Sequence, residues 1–382
     1  GIAAGALGFS TSRTINHRTV AGAYTPTLGA AEQELLEISK AVGDTGMGWL
    51  QVITDFDDPV AEMAILRRMA KTSRRPMTIT VLQRDKRPEL WRDTMADIAE
   101  ANAAGAQIFG QVLTRPTGVM LGFEISLNPF MACPAWREIA DLPHTEKIAH
   151  LQQPEFRARI LAERQEDHLM RTRVTQWDRI FPLGDPPDYE PAADKSVAAR
   201  AAREGRSAEE VGYDLLLEND GKTILYRPLS NYAYGDLETV SDMMQHPNSL
   251  IGLGDGGAHV GVLTDASAFT YMLTHWTRDR VRGEKLSLPW AIKRLSHDNA
   301  AAIGLNDRGL LAVGKKADIN VIDYDNLKIR PPEVLYDLPS GGKRMVQRTV
   351  GYDANIVTGQ IVYRHGEPTD ALPGRLVRGA RT

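Results

Sequence analysis

The most constraining feature is a repeated alternation between residues 6 and 113. Short apolar runs rich in strand formers alternate there with longer stretches of helical periodicity. The runs are ALGFS (6–10), WLQVIT (49–54), MTITVL (77–82) and AQIFGQVL (106–113). Between them lie EQELLEISKAV (32–42) with Gly43 placed to cap it, residues 59–72 behind a capping Asp58, and residues 88–104 ahead of Gly105. Strands separated by a helix of this length cannot pair as hairpins. The helix has to cross over and return the chain parallel to the previous strand. A strand covered on both faces reads as a continuous apolar run, as these do. The pattern predicts an α/β chain built on a parallel sheet.

The rhythm stops after Arg115. Residues 116–248 are rich in proline and aromatic residues. They carry helical patterns at 150–171, 194–203 and 209–218, the last leading into ILYRPL. A stretch this long between barrel strands reads as a lid-like insertion. The βα rhythm returns at 250–254, followed by DGGAHVG and a helical pattern over 266–280. Near the end, AVGKKADINVIDY (312–324) and IVTGQIVYRHG (356–366) alternate with a period of two. The expected division is therefore residues 1–308, with the insertion at about 116–248, and a small β-rich unit with a tail at 309–382. The opening, GIAAGALGFSTSR, has no Met and enters a strand with no lead-in. It is read as starting inside a domain.

Charge and composition narrow the partners. A net charge of −4, with no dense basic run, gives no reason to expect nucleic acid or an anionic membrane. The only cysteine, Cys133, excludes an intrachain disulfide and a cysteine-cluster zinc site. In MACPAW it reads as a small semi-buried side chain. No stretch approaches the ~20 apolar residues of a membrane helix, and no signal peptide opens the chain. The expected setting is cytoplasmic, the expected partner a small-molecule substrate, and a homo-oligomer is left open.

The strongest local motif is LGDGGAHVG (253–261), directly after an apolar run. An acid at the end of a parallel barrel strand faces the catalytic mouth. Asp255 could bind a metal and move a proton to or from its water, with His259 four residues on. The alternative is an Asp capping the next helix beside a plain Gly-Gly turn.

GALGFSTSR (5–13), TPT (25–27), LGDGGAHVG (253–261), DRGLLAVGKKADINVID (307–323) and ALPGRLVRG (371–379) occur in an order that resembles the N-acyl-D-amino-acid deacylase (D-aminoacylase) branch of the amidohydrolase superfamily. That resemblance implies the fold class: α/β, a partial (β/α)8 TIM-like barrel of metal-dependent hydrolase type with a small C-terminal β-sandwich segment. It implies hydrolysis of a carbon–nitrogen amide bond, as in deacylation of an N-acyl amino acid. Metal-activated water would be the nucleophile, Asp255 both ligand and proton shuttle, and His259 a catalytic partner. The divalent metal implied is zinc. GALGFS would be the fourth barrel strand, so the His-x-His of the first strand would lie upstream of residue 1. That missing N-terminal segment would also be needed to complete the barrel. No His-x-His occurs in the chain.

Two positions depart from the family pattern. Gln51 stands where the fifth strand carries a metal-binding histidine, and Val81 stands where the sixth does. Valine cannot ligate a metal, and an amide is a poor zinc ligand beside imidazole. Two readings follow: one metal held by upstream histidines and Asp255, or a metal-free chain with altered or lost activity that serves as a binding or scaffold subunit. Gln51 is then a candidate substrate contact. Arg13 could hold a substrate carboxylate in its planar fork, and His17 could line the same pocket; both could equally be ordinary loop residues. Arg115 reads either as a pocket residue or as half of an ion pair. His275 and His297 fit packing or surface roles, and Tyr232 and Tyr234 fit packing. No G-x-S-x-G follows a strand, and no glycine loop fits a nucleotide site.

Overall fold

The computed structural model describes residues 1–19, 21–163, 171–252, 254 and 260–379. Its first part is a run of parallel βα units. Strand β1 (Gly8–Arg13) is followed by helix α1 (Glu32–Asp44), β2 (Trp49–Thr54), α2 (Pro59–Ser73), β3 (Met77–Thr80), α3 (Leu90–Ala103) and β4 (Ile108–Val112). The insertion contributes β5 (Thr117–Leu121), β6 (Phe181–Pro182) and β7 (Leu225–Ser230). The chain then returns as β8 (Ser249–Ile251). Strands β1, β2, β3, β4 and β8 form one five-stranded sheet in that order, each pair parallel.

Alternation along the strands gives the sheet two unlike faces. Leu50, Val52, Met77, Ile79, Ile108 and Val112 are fully buried with Leu66 and Met69 of α2 and Met95 and Ile98 of α3. The intervening residues Trp49, Gln51, Thr78 and Gln111 line a cavity of about 450 Å³ on the opposite, concave face. Trp49 stacks on Phe109 across that face, ring centroids 5.9 Å apart.

Helix α2 begins as its sequence predicts. Asp58 caps it through Ala61 N–H at 3.0 Å, and Pro59 takes the first turn, where its missing N–H costs nothing. Gly43 does not cap α1. It sits inside the helix because a side chain there would meet the Ser73 carbonyl at 2.4 Å, and the helix runs on to Asp44.

The insertion has its own core of Val119, Phe123, Phe130, Trp136, Trp177, Tyr213 and their neighbours. The helical pattern at 150–171 is broken. One helix ends at Leu151, and Pro154–Ala162 forms a separate one, because proline removes a donor and starts helices rather than continuing them. Ala208–Gly221 starts with a capping box between Ser207 and Glu210. The pattern at 266–280 is one helix, Ala268–Thr274, whose end widens into a π-helical turn over His275–Asp279.

The C-terminal part is antiparallel. Strands β9 (Ile319–Ile322), β10 (Lys328–Leu338), β11 (Gly342–Val350), β12 (Tyr352–Val357), β13 (Gln360–Arg364) and β14 (Glu367–Pro368) form a β10–β11 ribbon and a sheet of order β14-β13-β12-β9. The turn within IVTGQIVY lies at Thr358–Gly359, both at positive φ, as a two-residue hairpin requires. Residues 312–318 are not strand, and the long ribbon was not expected. Pro331 and Pro332 disguise β10, where the ladder shifts register between Ile329 and Pro332.

Candidate active site

The parallel strands all end on one edge, the edge that carries the mouth of a βα barrel. After β2 the chain places Asp55, only 7% exposed. Its Oδ1 accepts from Thr14 Oγ1 at 2.8 Å and from Arg84 Nη1 at 3.1 Å, and its Oδ2 accepts from the Ile15 N–H at 2.7 Å. Arg84 also donates to the Thr54 carbonyl at 2.9 Å. The ends of β1, β2 and β3 are thus tied through one buried carboxylate. Asn231, from the insertion, ties the next pair. Its side-chain oxygen accepts from Gln83 N–H at 2.8 Å, its own N–H donates to the Gln83 carbonyl at 2.8 Å, and its amide reaches the Arg115 carbonyl at 3.5 Å. Gln83 donates onward to Thr239 Oγ1 at 3.0 Å.

Strand β8 pairs with β4 through Val112 and Ile251, and Gly252 N–H donates to the Val112 carbonyl at 2.8 Å. Asp255 and His259 lie outside the described residues, as do Leu253, Gly256, Gly257 and Ala258.

The other site candidates separate. Arg13 falls on the helix-covered face of β1. Its Nη2 and Nε donate to the Glu62 carboxylate of α2 at 2.7 and 3.0 Å, and its Nη1 donates to the Ala30 carbonyl. The fork proposed for a substrate carboxylate is filled by Glu62, because alternation turns residue 13 outward. Burial opposes the Arg13 charge, but the Glu62 hydrogen bond outweighs it and raises the guanidinium pKa. His17 is exposed, with Nδ1 2.6 Å from Ser12 Oγ. Arg115 is 1% exposed. It donates to the Thr264 carbonyl at 2.6 Å, pairs with Asp265 at 3.2 Å and lies 3.9 Å over the Tyr189 ring. Of the two roles open to it, the ion pair is the one observed. Gln51 is on the concave face, donating to Gln111 Oε1 at 3.1 Å and accepting from Ser10 Oγ at 3.4 Å. That cavity is lined by amides, hydroxyls and apolar groups and lies along the sheet rather than at its mouth.

Tyr232 is buried, with its hydroxyl on the Pro191 carbonyl, whereas exposed Tyr234 bonds Glu89. His297 is exposed beside Asp298. Cys133 is buried, and burial, with the Glu163 charge, pushes its thiol up to about 11, opposite to the lowered value of a reactive cysteine. Three buried carboxylates were not anticipated: Asp55, Glu190 and Asp265, the partner of Arg115. Asp55 follows an apolar strand directly, and Asp255 likewise follows an apolar run in the sequence, so the same rule could have found it. Glu190, held by His275 Nε2 at 2.8 Å and by Arg280, has no such signal in DYEPAA.

Among the described residues, no group of three His, Cys, Asp or Glu side chains is gathered so that it could hold a metal. Val81 is buried in the core, the Gln51 amide is spent on Gln111, and Asp55 is spent on Arg84. These residues do not fit a metal centre.

Comparison with known proteins shows a match to the amidohydrolase family over residues 1–363. The chain belongs to that family. No curated protein matches it. Among solved structures, this amidohydrolase-family chain resembles a D-aminoacylase described for its binuclear metal centre, with one-metal activation and second-metal attenuation. The TM-score is 0.52 at 19% identity, covering 97% of this chain and 62% of that one. A D-aminoacylase variant in complex with copper chloride matches with the same figures. A D-aminoacylase said to define a novel subset of amidohydrolases matches with TM-score 0.51 and 19% identity. The amidohydrolase chain spans less than two thirds of the length of these structures. At this identity the likeness is one of fold: the parallel sheet with its helices, and the C-terminal antiparallel strands.

Proposed function

We propose that this chain carries part of the catalytic mouth of a hydrolase that cleaves an amide bond, with N-acyl amino acids as the substrate class. One observation carries the reading. Strand β8 lies parallel beside β4 and ends at Ile251, four residues before Asp255, on the edge that also bears Asp55 and Gln83. Asp255 is the proposed general base. It takes a proton from water as the oxygen adds to the carbonyl carbon, and returns it to the nitrogen as the C–N bond breaks. His259 is the proposed donor to the oxyanion. No step is assigned to zinc or another divalent metal, because the described residues do not assemble its ligands.

In this reading residues 116–248 wall the mouth as a lid-like insertion on a barrel unit of residues 1–308, and residues 309–382 form the small β-rich unit. The proposed setting is cytoplasmic. Among the described residues no helix is long and apolar enough to cross a membrane.

The test is amine release from N-acyl amino acids of both hands by the natural full-length protein, together with its metal content. Asp255→Asn is expected to lower kcat by ~100-fold or more. Hydrolysis that survives this substitution sinks the assignment. A second reading, a non-catalytic binding subunit, draws support from Val81, which is buried in the core, and Gln51, which bonds Gln111, where the family pattern carries histidines. It predicts no hydrolysis across the panel and calorimetric binding of at least one member.

A further inference from the structure

Amides bridge the concave face of the parallel sheet. Strand β3 lies between β2 and β4, and the Gln51–Gln111 hydrogen bond at 3.1 Å spans it, with Thr78 of β3 in register with Gln51. That bond uses the Gln111 oxygen. The Gln111 Nε2 donors meet no acceptor among the described residues, and the Thr78 hydroxyl meets no partner among them either. One strand further on, Gln111 is in register with Leu250 of β8, and the next carbonyl along, that of Ile251, accepts from Asn299 Nδ2 at 2.8 Å. The Asn299 oxygen receives no hydrogen bond from any described residue. Free donors and a free acceptor thus stand on neighbouring strands, and all of these groups line the same cavity of about 450 Å³.

The rest of its wall is largely apolar. Trp49 and Leu250 line it, as do Leu7 and Ile303, which remain 46% and 42% exposed. None of the described lining residues carries a charge. Small-molecule sites combine an apolar wall with a few fixed polar groups in this way, at volumes that include this one. An ion taken from water into such a wall would find no counter-charge, which is costly, so the wall favours an uncharged molecule. A carbonyl oxygen suits the Gln111 donors, and an N–H suits the Asn299 oxygen. A secondary amide offers both.

The geometry points to a binding site on the concave face for an uncharged secondary amide with apolar groups on either side. Its carbonyl accepts from Gln111 Nε2, its N–H donates to Asn299 Oδ1, and its apolar groups lie against Trp49 and Leu250. The site runs along the sheet, away from the edge that bears Asp55 and Gln83. The N-acyl amino acids of the proposed reaction carry a carboxylate that no described lining residue can pair with. The inference therefore stands or falls independently of that reaction.

The test titrates N-butylpentanamide into the natural full-length protein, followed by calorimetry and tryptophan fluorescence at neutral pH. Butyl pentanoate, which lacks the N–H, should bind ~2- to 10-fold more weakly, the range of one neutral hydrogen bond. Gln111→Met removes the donors and should weaken the amide by a similar factor. Ser10→Trp places a ring in the cavity from β1, at an exposed position, and should abolish binding. N-Pentanoylglycine, added as a competitor, should leave the amide bound. The ester and competitor arms need no variant, so they decide the matter even if a variant fails to fold. Neither heat nor a fluorescence change with the amide overturns the inference. So does an amide affinity unchanged in both folded variants, an ester that binds as tightly as the amide, or displacement by N-pentanoylglycine at comparable concentration.

Discussion

The described residues form two hydrophobic cores, and they are built by different rules. The core beneath the parallel sheet is mainly aliphatic. Leu50, Val52, Ile79 and Ile108 meet Leu66, Met69 and Ile98 from the helices that directly precede or follow them in sequence. The core of the insertion contains a cluster of mutually packed aromatic rings, Phe123, Phe130, Trp136 and Tyr213, and brings together distant segments. Phe123 stacks on Trp136 at 5.4 Å, and Phe130 meets Tyr213 edge-on at 5.3 Å across more than eighty residues of chain. Between β2, β3, β4 and the helices α2 and α3, local period dictates what meets what. In the core of the insertion, partners are chosen only once the chain has closed on itself. Beside the first core lies buried Glu190, whose carboxylate binds His275 and Arg280 and accepts from the N–H of Leu237, a member of that core, at 3.0 Å.

The largest expected effects strike each core separately. Phe123→Ala should cost about 3–5 kcal/mol and Leu50→Ala about 2–5 kcal/mol, both being buried with little room for collapse. Urea unfolding followed by far-UV circular dichroism and by tryptophan fluorescence checks this. Coincident transitions in both variants mean that the cores fold as one unit. A Phe123→Ala protein that loses the insertion signal first would separate them.

The next effect tests the buried carboxylate beside the first core. Burial works to raise the Glu190 carboxyl, but the bonds from His275 and Arg280 and their charges outweigh it, so its pKa lies below the ordinary 4.5. A lowered carboxyl contributes stability above its ordinary value and loses it as pH falls through the lowered one. Glu190→Gln should therefore be less stable than the parent near neutrality, with the gap narrowing in acid. Urea midpoints from neutral pH down to about 3 measure this. A gap that widens on acidification would refute the sign. The smallest effect belongs to the concave face. Gln51→Leu removes an amide whose partners are half-buried Gln111 and exposed Ser10, and should shift stability by no more than about 1 kcal/mol. A larger loss would mean that the concave face contributes to stability on the scale of the helix-covered one.

The sequence showed the sheet well because each strand carries its own apolar run and each helix its own period. WLQVIT and residues 59–72 fall within a residue of β2 and α2. The Asp58 cap was equally visible, since a cap is a local bond. The β10–β11 ribbon was hidden by Pro331 and Pro332, whose tolerance depends on a register shift that no local rule encodes. Among the site candidates, Arg13 shows the same limit. Its residue type suits a carboxylate, but which carboxylate it meets depends on the face it occupies, and that face belongs to Glu62. Asp55 was within reach of the rule that picked out Asp255. Gln83 and Asn231 were not, because their bonds join residues far apart in the chain.

The ribbon carries a last consequence, for the order of events during synthesis. Gln347 on β11 binds Tyr189, Thr264 and Ser267, while Lys343 reaches the Glu124 carbonyl at 2.6 Å and Met345 holds Val260. A ribosome delivers β1 to β4 early, and those units can begin to pair as they emerge. The surroundings of residue 260 cannot be finished until residue 347 has left the exit tunnel. Until then the nascent chain holds a sheet without its last fastening, and a message truncated shortly before β11 would yield a protein with most of its mass and an unsecured centre.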